Sequence, residues 1–256
     1  MKWLLSFIFL FPLAALAQQI SSGNYGYLGQ EKVLFKQYLR SQNNDPRLYE
    51  NRIVGQIGRH CTGTLIGPRH VLTAAHCAYD LNTSRKQKDL SFNPGKMNKD
   101  SVPFKIVDWE KVYLPKKFDV DEGEFIYDFA VIELKENIGD HLGWAGFKVV
   151  NAVENLTISL TGYPHDKDEG TQWKVYCPAR FTSQEIRYHC DTFGGMSGSA
   201  VFAQMSGDNE PFINGIHVFG NKTFNGAVRI THERFQLIKS WTEGRSNKET
   251  VILSNR

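Results

Sequence analysis

After its first 17 residues, this 256-residue chain has no apolar run long enough to cross a bilayer, which takes roughly 20 residues. It has no C-x-x-C pair, so cysteine spacing gives no support to a zinc site. It has no basic run interleaved with aromatics and a net charge of only +3, so nothing points to nucleic acid. No internal repeat is visible. The acidic run DVDEGE at residues 119–124 has its glycine out of register for an EF-hand and reads as a solvated loop. What is present is an ordinary globular composition, 41% hydrophobic and 22% charged. That length holds one large domain or two smaller ones.

The beginning of the chain reads as an export signal. Lys2 is followed by an almost wholly apolar stretch to Leu16, and Ala15-Leu16-Ala17 has the A-x-A form of a cleavage site. Pro12 and Gln18-Gln19 end that stretch too early for a membrane span. Residues 1–17 are therefore expected to be removed, releasing a secreted (extracellular or periplasmic) protein with no membrane attachment. An oxidising destination suits an even count of four cysteines. Of the three possible pairings, Cys61 with Cys77 and Cys177 with Cys190 is the simplest. Each bridge would close a loop of about 15 residues, worth on the order of 3 kcal/mol in the chain-entropy model.

Residues 18–52 are polar, then mixed in charge and turn formers: propeptide, mature N-terminal arm or both. From Ile53 the pattern changes to short apolar runs broken by Gly, Pro, Asn and Asp. TGTLIG, HVLTAAHC, DFAVIEL, NLTISLTGY, SGSAVFA, PFINGIHVFG and GAVRI all read as strands, and so many at this spacing predict a β-barrel or sandwich. One helix is expected after GAVRI, with Thr231 as N-cap, an apolar face of Phe235, Leu237, Ile238 and Trp241, and Gly244 as its stop. Residues 246–256 read as a polar, frayed tail.

Three short motifs carry chemistry. TAAHC puts His76 at the end of an apolar strand, YDFAVIEL puts Asp128 before a buried strand, and DTFGGMSGSA puts Ser197 in a glycine-rich turn. Each alone is unremarkable: histidines are usually structural, such an aspartate usually belongs to a turn, and G-x-S-G is usually a loop. Together they have a chemical logic. A serine hydroxyl is a poor nucleophile until an imidazole takes its proton. The imidazole in turn needs a buried carboxylate to fix its tautomer. The glycines let the N–H groups of Gly195 and Ser197 converge on one point, an oxyanion hole.

CTGTLIGPRHVLTAAHC, YDFAVIEL and DTFGGMSGSAVF resemble the chymotrypsin-like serine peptidases. The GGxSGS form, the stretch GYPHDK…GTQW at residues 162–173, INGIH at 213–217 and FNGAVRI before a helix resemble the bacterial glutamyl endopeptidase branch. The resemblance runs from about Ile53 to Trp241. It implies an all-β fold of two six-stranded antiparallel β-barrels with a C-terminal helix. Residues 53–145 would carry His76 and Asp128, and residues 146–245 would carry Ser197. It further implies peptide or protein substrates, no cofactor, no metal and a monomer. Thr192 and His217 would line the specificity pocket, where an imidazolium and a hydroxyl suit a glutamate side chain. Val218 and Gly220 would offer backbone groups to an extended substrate. Asp191 pulls the other way, because it lies six residues before Ser197, where trypsin keeps the carboxylate that selects Arg and Lys. Glutamate preference, basic preference and a catalytically silent binding module on the same fold all stay open.

Two departures from the family pattern matter. Ala200 replaces a common proline and alters only a strand entry. Met196 stands where trypsin-type enzymes have an aspartate, and this bears on the string RIVG at residues 52–55. An activation cleavage there would free an ammonium at Ile53, and Met196 offers it no charge. Ile53 is also only eight residues before Cys61, whereas trypsins activate much further upstream. The string is therefore expected to be the first barrel strand. The mature N-terminus is expected upstream of it, and by resemblance between Lys32 and Val33.

Overall fold

A computed structural model describes residues 38–80, 85–120, 125–151, 156–205 and 208–255. The expected signal peptide, the bond between Lys32 and Val33, and residues 121–124 of the acidic run lie outside the described residues. In chain order the strands are β1 Ser41–Gln42, β2 Val54–Ile57, β3 Cys61–Leu65, β4 His70–Thr73, β5 Tyr79–Asp80, β6 Arg85–Lys86, β7 Phe92–Pro94, β8 Trp109–Pro115 and β9 Ala130–Leu134. They continue as β10 Leu156–Gly162, β11 Trp173–Phe181, β12 Glu185–Tyr188, β13 Ala200–Ala203, β14 Phe212–Gly220, β15 Asn225–Arg229 and β16 Thr250–Ser254. Each of the seven runs read as strands coincides with one to within a residue at its start or holds it whole.

The second half closes into an antiparallel barrel in the order β10-β13-β14-β15-β12-β11, because β11 pairs with both β10 and β12. β11 shows why. From Val175 to Phe181 its residues alternate buried and exposed, so Val175, Cys177, Ala179 and Phe181 all face one core. Ile158, Leu160, Ile186, Tyr188, Val201 and Ala227 complete that core. The Cys177–Cys190 disulfide fastens this inner face to the segment leading into the GGMSGS turn.

The first half is a sheet in the order β16-β8-β9-β4-β3-β2-β7. β7 at one end is joined back to the lead-in of β8 by a single bridge, Phe92 to Val107, with N–H···O bonds of 2.8 and 3.0 Å, while β16 adds to the outer edge of β8. Of the two expected barrels, one is thus closed by continuous ladders and the other by one bridge. β7 is only three residues long and ends in Pro94, which has no N–H to extend the pairing.

Two stretches outside the expected barrels turn out to be strands. Residues 250–254, expected to fray, pair with all of residues 111–115 on β8. The β-branched and apolar run Thr250-Val251-Ile252-Leu253 fits a sheet edge, and Trp241 Nε1 donates to Thr250 Oγ1 at 3.0 Å. At the other end, Ser41 and Gln42 pair with Lys174 and Trp173, so residues before the first barrel add a strand to the second.

The helix spans His232–Thr242, with the Thr231 side chain accepting from Arg234 N and Gly244 at φ +70° beyond its end. Its buried residues are Arg234, Ile238 and Trp241, rather than the expected face that included Phe235 and Leu237. Arg234 is kept inside by hydrogen bonds to the carbonyls of Arg229 and Gln184. Trp241 packs against Tyr113 and Phe129 at 6.3 and 5.6 Å, which carries the helix across to the first sheet.

Ile53 is the buried cap of a one-turn helix, Tyr49–Arg52, and leads into β2. Its N–H donates to Tyr49 O and its carbonyl accepts from Leu65 N. RIVG is therefore the entrance to a strand.

Trp241→Ala removes the largest side chain joining helix and sheet, and is expected to cost about 3–5 kcal/mol in urea denaturation. A loss below about 0.5 kcal/mol, typical of a surface substitution, would contradict this packing.

Candidate active site

β4 ends at Thr73, and a 3-10 turn, Ala75–Cys77, then swings His76 out of the sheet. A second 3-10 turn, Phe125–Tyr127, places Asp128 just before β9, with its N–H on Phe125 O. The two meet. Asp128 is fully buried; one carboxylate oxygen accepts from the His76 backbone N–H at 2.9 Å and the other lies 2.7 Å from Nδ1. A carboxylate can only accept, so Nδ1 carries the ring proton and Nε2 is left as the basic nitrogen. The His76 side chain keeps 21% of its surface exposed, enough for a substrate to reach it.

Ser197 sits in a turn that needs both of its glycines. Gly195 and Gly198 have φ of +95° and +85°. A Cβ on Gly195 would strike Tyr163 O and the His165 ring; one on Gly198 would strike Thr62 O and Thr73 Oγ1. The turn is sewn to the first half at Thr62. Thr62 N donates to Ser197 O, and Thr62 Oγ1 donates to Gly195 O, both at 2.8 Å. Cys77 Sγ, bridged to Cys61, lies 3.7 Å from the same Ser197 carbonyl. On the other side, Gly198 N donates to His217 O and His217 N to Ser199 O. Ser197 is thereby fixed between the residue after His76 and the strand carrying His217. Both expected disulfides are present, Cys61–Cys77 and Cys177–Cys190.

The expected pocket residues Asp191, Thr192 and His217 are all buried. Two of them have partners that sequence reading missed. His217 Nδ1 is 2.6 Å from the Tyr188 hydroxyl, and burial holds that phenol well above its ordinary pKa. Burial, assisted by the neighbouring His76, lowers His217 to about 4. The imidazolium expected from sequence is therefore disfavoured in the free protein at neutral pH, because the Gly226 backbone bond and the Asp128 charge, which favour it, do not outweigh the cost of desolvation.

Asp191 is answered by an internal arginine. Arg40 Nε reaches Asp191 Oδ2 at 2.9 Å, while its other two nitrogens grip Asp166 at 2.8 and 2.7 Å. Burial disfavours the Arg40 charge, but the bonds to Asp166 and the Asp191 charge outweigh it and raise its pKa. The backbone N–H of Asp191 also donates to Tyr38 O. Cys61, His76 and Cys77 bring metal-binding atom types within 4.8 Å of one another, yet the two sulfurs are bonded together and offer no thiolate.

Residues 42–242 are matched by the family model described as Trypsin. The chain belongs to the trypsin family. Among curated relatives, a glutamyl endopeptidase of Bacillus licheniformis is 34% identical over 189 residues, covering 71% of this chain and 59% of the relative. An extracellular metalloprotease of Bacillus subtilis, so named, is 32% identical over 184 residues, covering 71% and 58%. The chain therefore spans about three-fifths of these relatives. A solved Glu endopeptidase in complex with MPD superposes with a TM-score of 0.71 at 28% identity, covering 80% of this chain and 97% of the other. As a trypsin-family chain it shares the chymotrypsin-like fold, and no helix among its described residues is long and apolar enough to cross a membrane.

His217 has a folded pKa of about 4 against 6.5 for a free histidine. Between those values the unfolded chain binds more protons, so stability is lost as pH falls through that window. In the unliganded protein the His217 ring resonances are expected to titrate near pH 4 by NMR. A midpoint above 6 would contradict the burial argument.

Proposed function

We propose that the protein is an exported serine endopeptidase, made as a precursor, that cuts peptide bonds after glutamate. The observation that carries this reading is the buried Asp128 carboxylate holding His76 by both ring and backbone N–H. In this mechanism His76 Nε2 takes the Ser197 hydroxyl proton as Oγ attacks the substrate carbonyl. The N–H groups of Gly195 and Ser197 receive the oxyanion, and Asp128 stabilises the imidazolium without being protonated. The imidazolium then protonates the leaving amine, and water repeats the cycle on the acyl-enzyme.

Substrate is aligned along β14. β13 pairs with β14 only as far as Ile216, so the strand running on through Val218 and Gly220 has a side that an extended peptide can join. Thr192 and His217 receive the glutamate carboxylate. Its arrival adds a negative charge directly at His217, raising its pKa and drawing in a proton. The pairing of Asp191 with Arg40 weighs against a basic-residue pocket, since that carboxylate already has its cation. The glutamyl endopeptidase relative supports the glutamate reading, and the expected signal peptide supports export.

Side-by-side hydrolysis of matched peptides with Glu, Gln, Arg or Phe before the scissile bond tests the reading. Glu is expected to win, and Ser197→Ala is expected to abolish turnover by on the order of 10⁶-fold. An Arg winner would overturn the glutamate assignment. Turnover retained in Ser197→Ala would overturn the nucleophile.

A further inference from the structure

Trypsin-type enzymes order the nucleophile turn with an aspartate immediately before the serine. Met196 occupies that position here and is fully buried, so the ordering charge has to come from elsewhere. We infer that Arg40 is a positioning residue: one guanidinium on the N-terminal arm clamps the two segments that flank the nucleophile turn and holds Gly195 of the oxyanion hole in place. This rests on the reading of Ser197 as the nucleophile.

The clamp has two jaws. Nε holds Asp191, which begins the run Asp191-Thr192-Phe193-Gly194-Gly195 leading directly into the turn. Nη1 and Nη2 hold both oxygens of Asp166 in the forked geometry that only arginine offers. Asp166 follows His165, whose N–H donates to Gly194 O at 2.7 Å and whose ring lies where a Cβ on Gly195 would be. The position of Asp166 is therefore passed through His165 to Gly194 and Gly195.

The ion cluster is also sealed. The side chains of Arg40, Asp166 and Asp191 are 1%, 10% and 6% exposed, so the pairing is little screened by solvent. A buried carboxylate left without its cation is strongly unfavourable, and Asp191 would have to move or take a proton. Asp191 Oδ1 already has no hydrogen-bond partner, which leaves Arg40 as the group that holds this carboxylate. Arg40 is itself held in place by the arm. Ser41 and Gln42 pair with β11, and Asn43 bonds to Gln172 by both backbone and side chain.

The test is the rate at which a fluorophosphonate labels Ser197 in the purified, processed protein. This reaction needs the nucleophile and the oxyanion hole, but not the glutamate pocket. Arg40→Gln is expected to label on the order of 10²-fold more slowly, the effect of a displacement of about 1 Å at a reacting centre. Arg40→Lys keeps the charge but not the fork, and is expected to fall between. Asp166→Asn, at the edge of the cluster, is expected to slow labelling too, and it decides the matter if the Arg40 variants do not fold. A purely structural arginine would lower the melting temperature and leave labelling below that temperature at the wild-type rate, and that result would overturn the clamp. If the wild-type protein itself is not labelled, the peptidase reading fails instead.

Discussion

A fully buried carboxylate is tolerable only when its oxygens are hydrogen-bonded, and His76 bonds to both oxygens of Asp128. One of these bonds comes from the histidine's backbone N–H and the other from its ring. Because the two bonds share a residue, they fix the position of the histidine and also the rotation of its imidazole. The 3-10 turns before Asp128 and around His76 exist to bring these groups together at the rim of the first sheet. The Cys61–Cys77 bridge then keeps the His76 turn against β3. The bonds from Thr62, the next residue along β3, carry that order across to the serine turn.

The serine turn has no charge of its own. In place of an ion pair it has Met196 in the core, two glycines packed against neighbours on either side, and hydrogen bonds from Thr62 and to His217. Apolar burial makes the turn stable without making its register unique, since a flexible methionine can pack in several ways. Directional bonds supply the register. The arrangement moves the ion cluster about Arg40 to the flank of the turn, where it also occupies the one carboxylate that would otherwise mark a basic-residue pocket.

The parts of this site readable from sequence are those written in local patterns. His76, Asp128 and Ser197 each stand in a short motif at a strand end, and the disulfides join near neighbours at separations of 16 and 13 residues. Thr231 and Gly244 likewise announce the helix. What escaped is long-range. Arg40 lies 151 residues from Asp191 and 126 from Asp166, and nothing around any of them records the meeting. Tyr188 falls in a stretch not read as a strand, and nothing around it records its contact with His217, 29 residues away. β11 was hidden by its charged outward residues and by Pro178. β16 was hidden because its short β-branched run lies among polar residues and pairs with β8, more than a hundred residues away. The charge state of His217 failed for a related reason: desolvation is a property of the folded interior, and sequence reports it poorly.

The most direct test of the account is turnover by Asp128→Asn at neutral pH, with folding checked by the melting temperature. An asparagine preserves the shape but can present an N–H to Nδ1, which favours the wrong tautomer of His76. Turnover of the preferred peptide is predicted to fall on the order of 10⁴-fold with the fold intact. A folded variant within roughly tenfold of the wild type, about 1.4 kcal/mol in the barrier, would mean that the buried carboxylate does not govern the chemistry at Ser197.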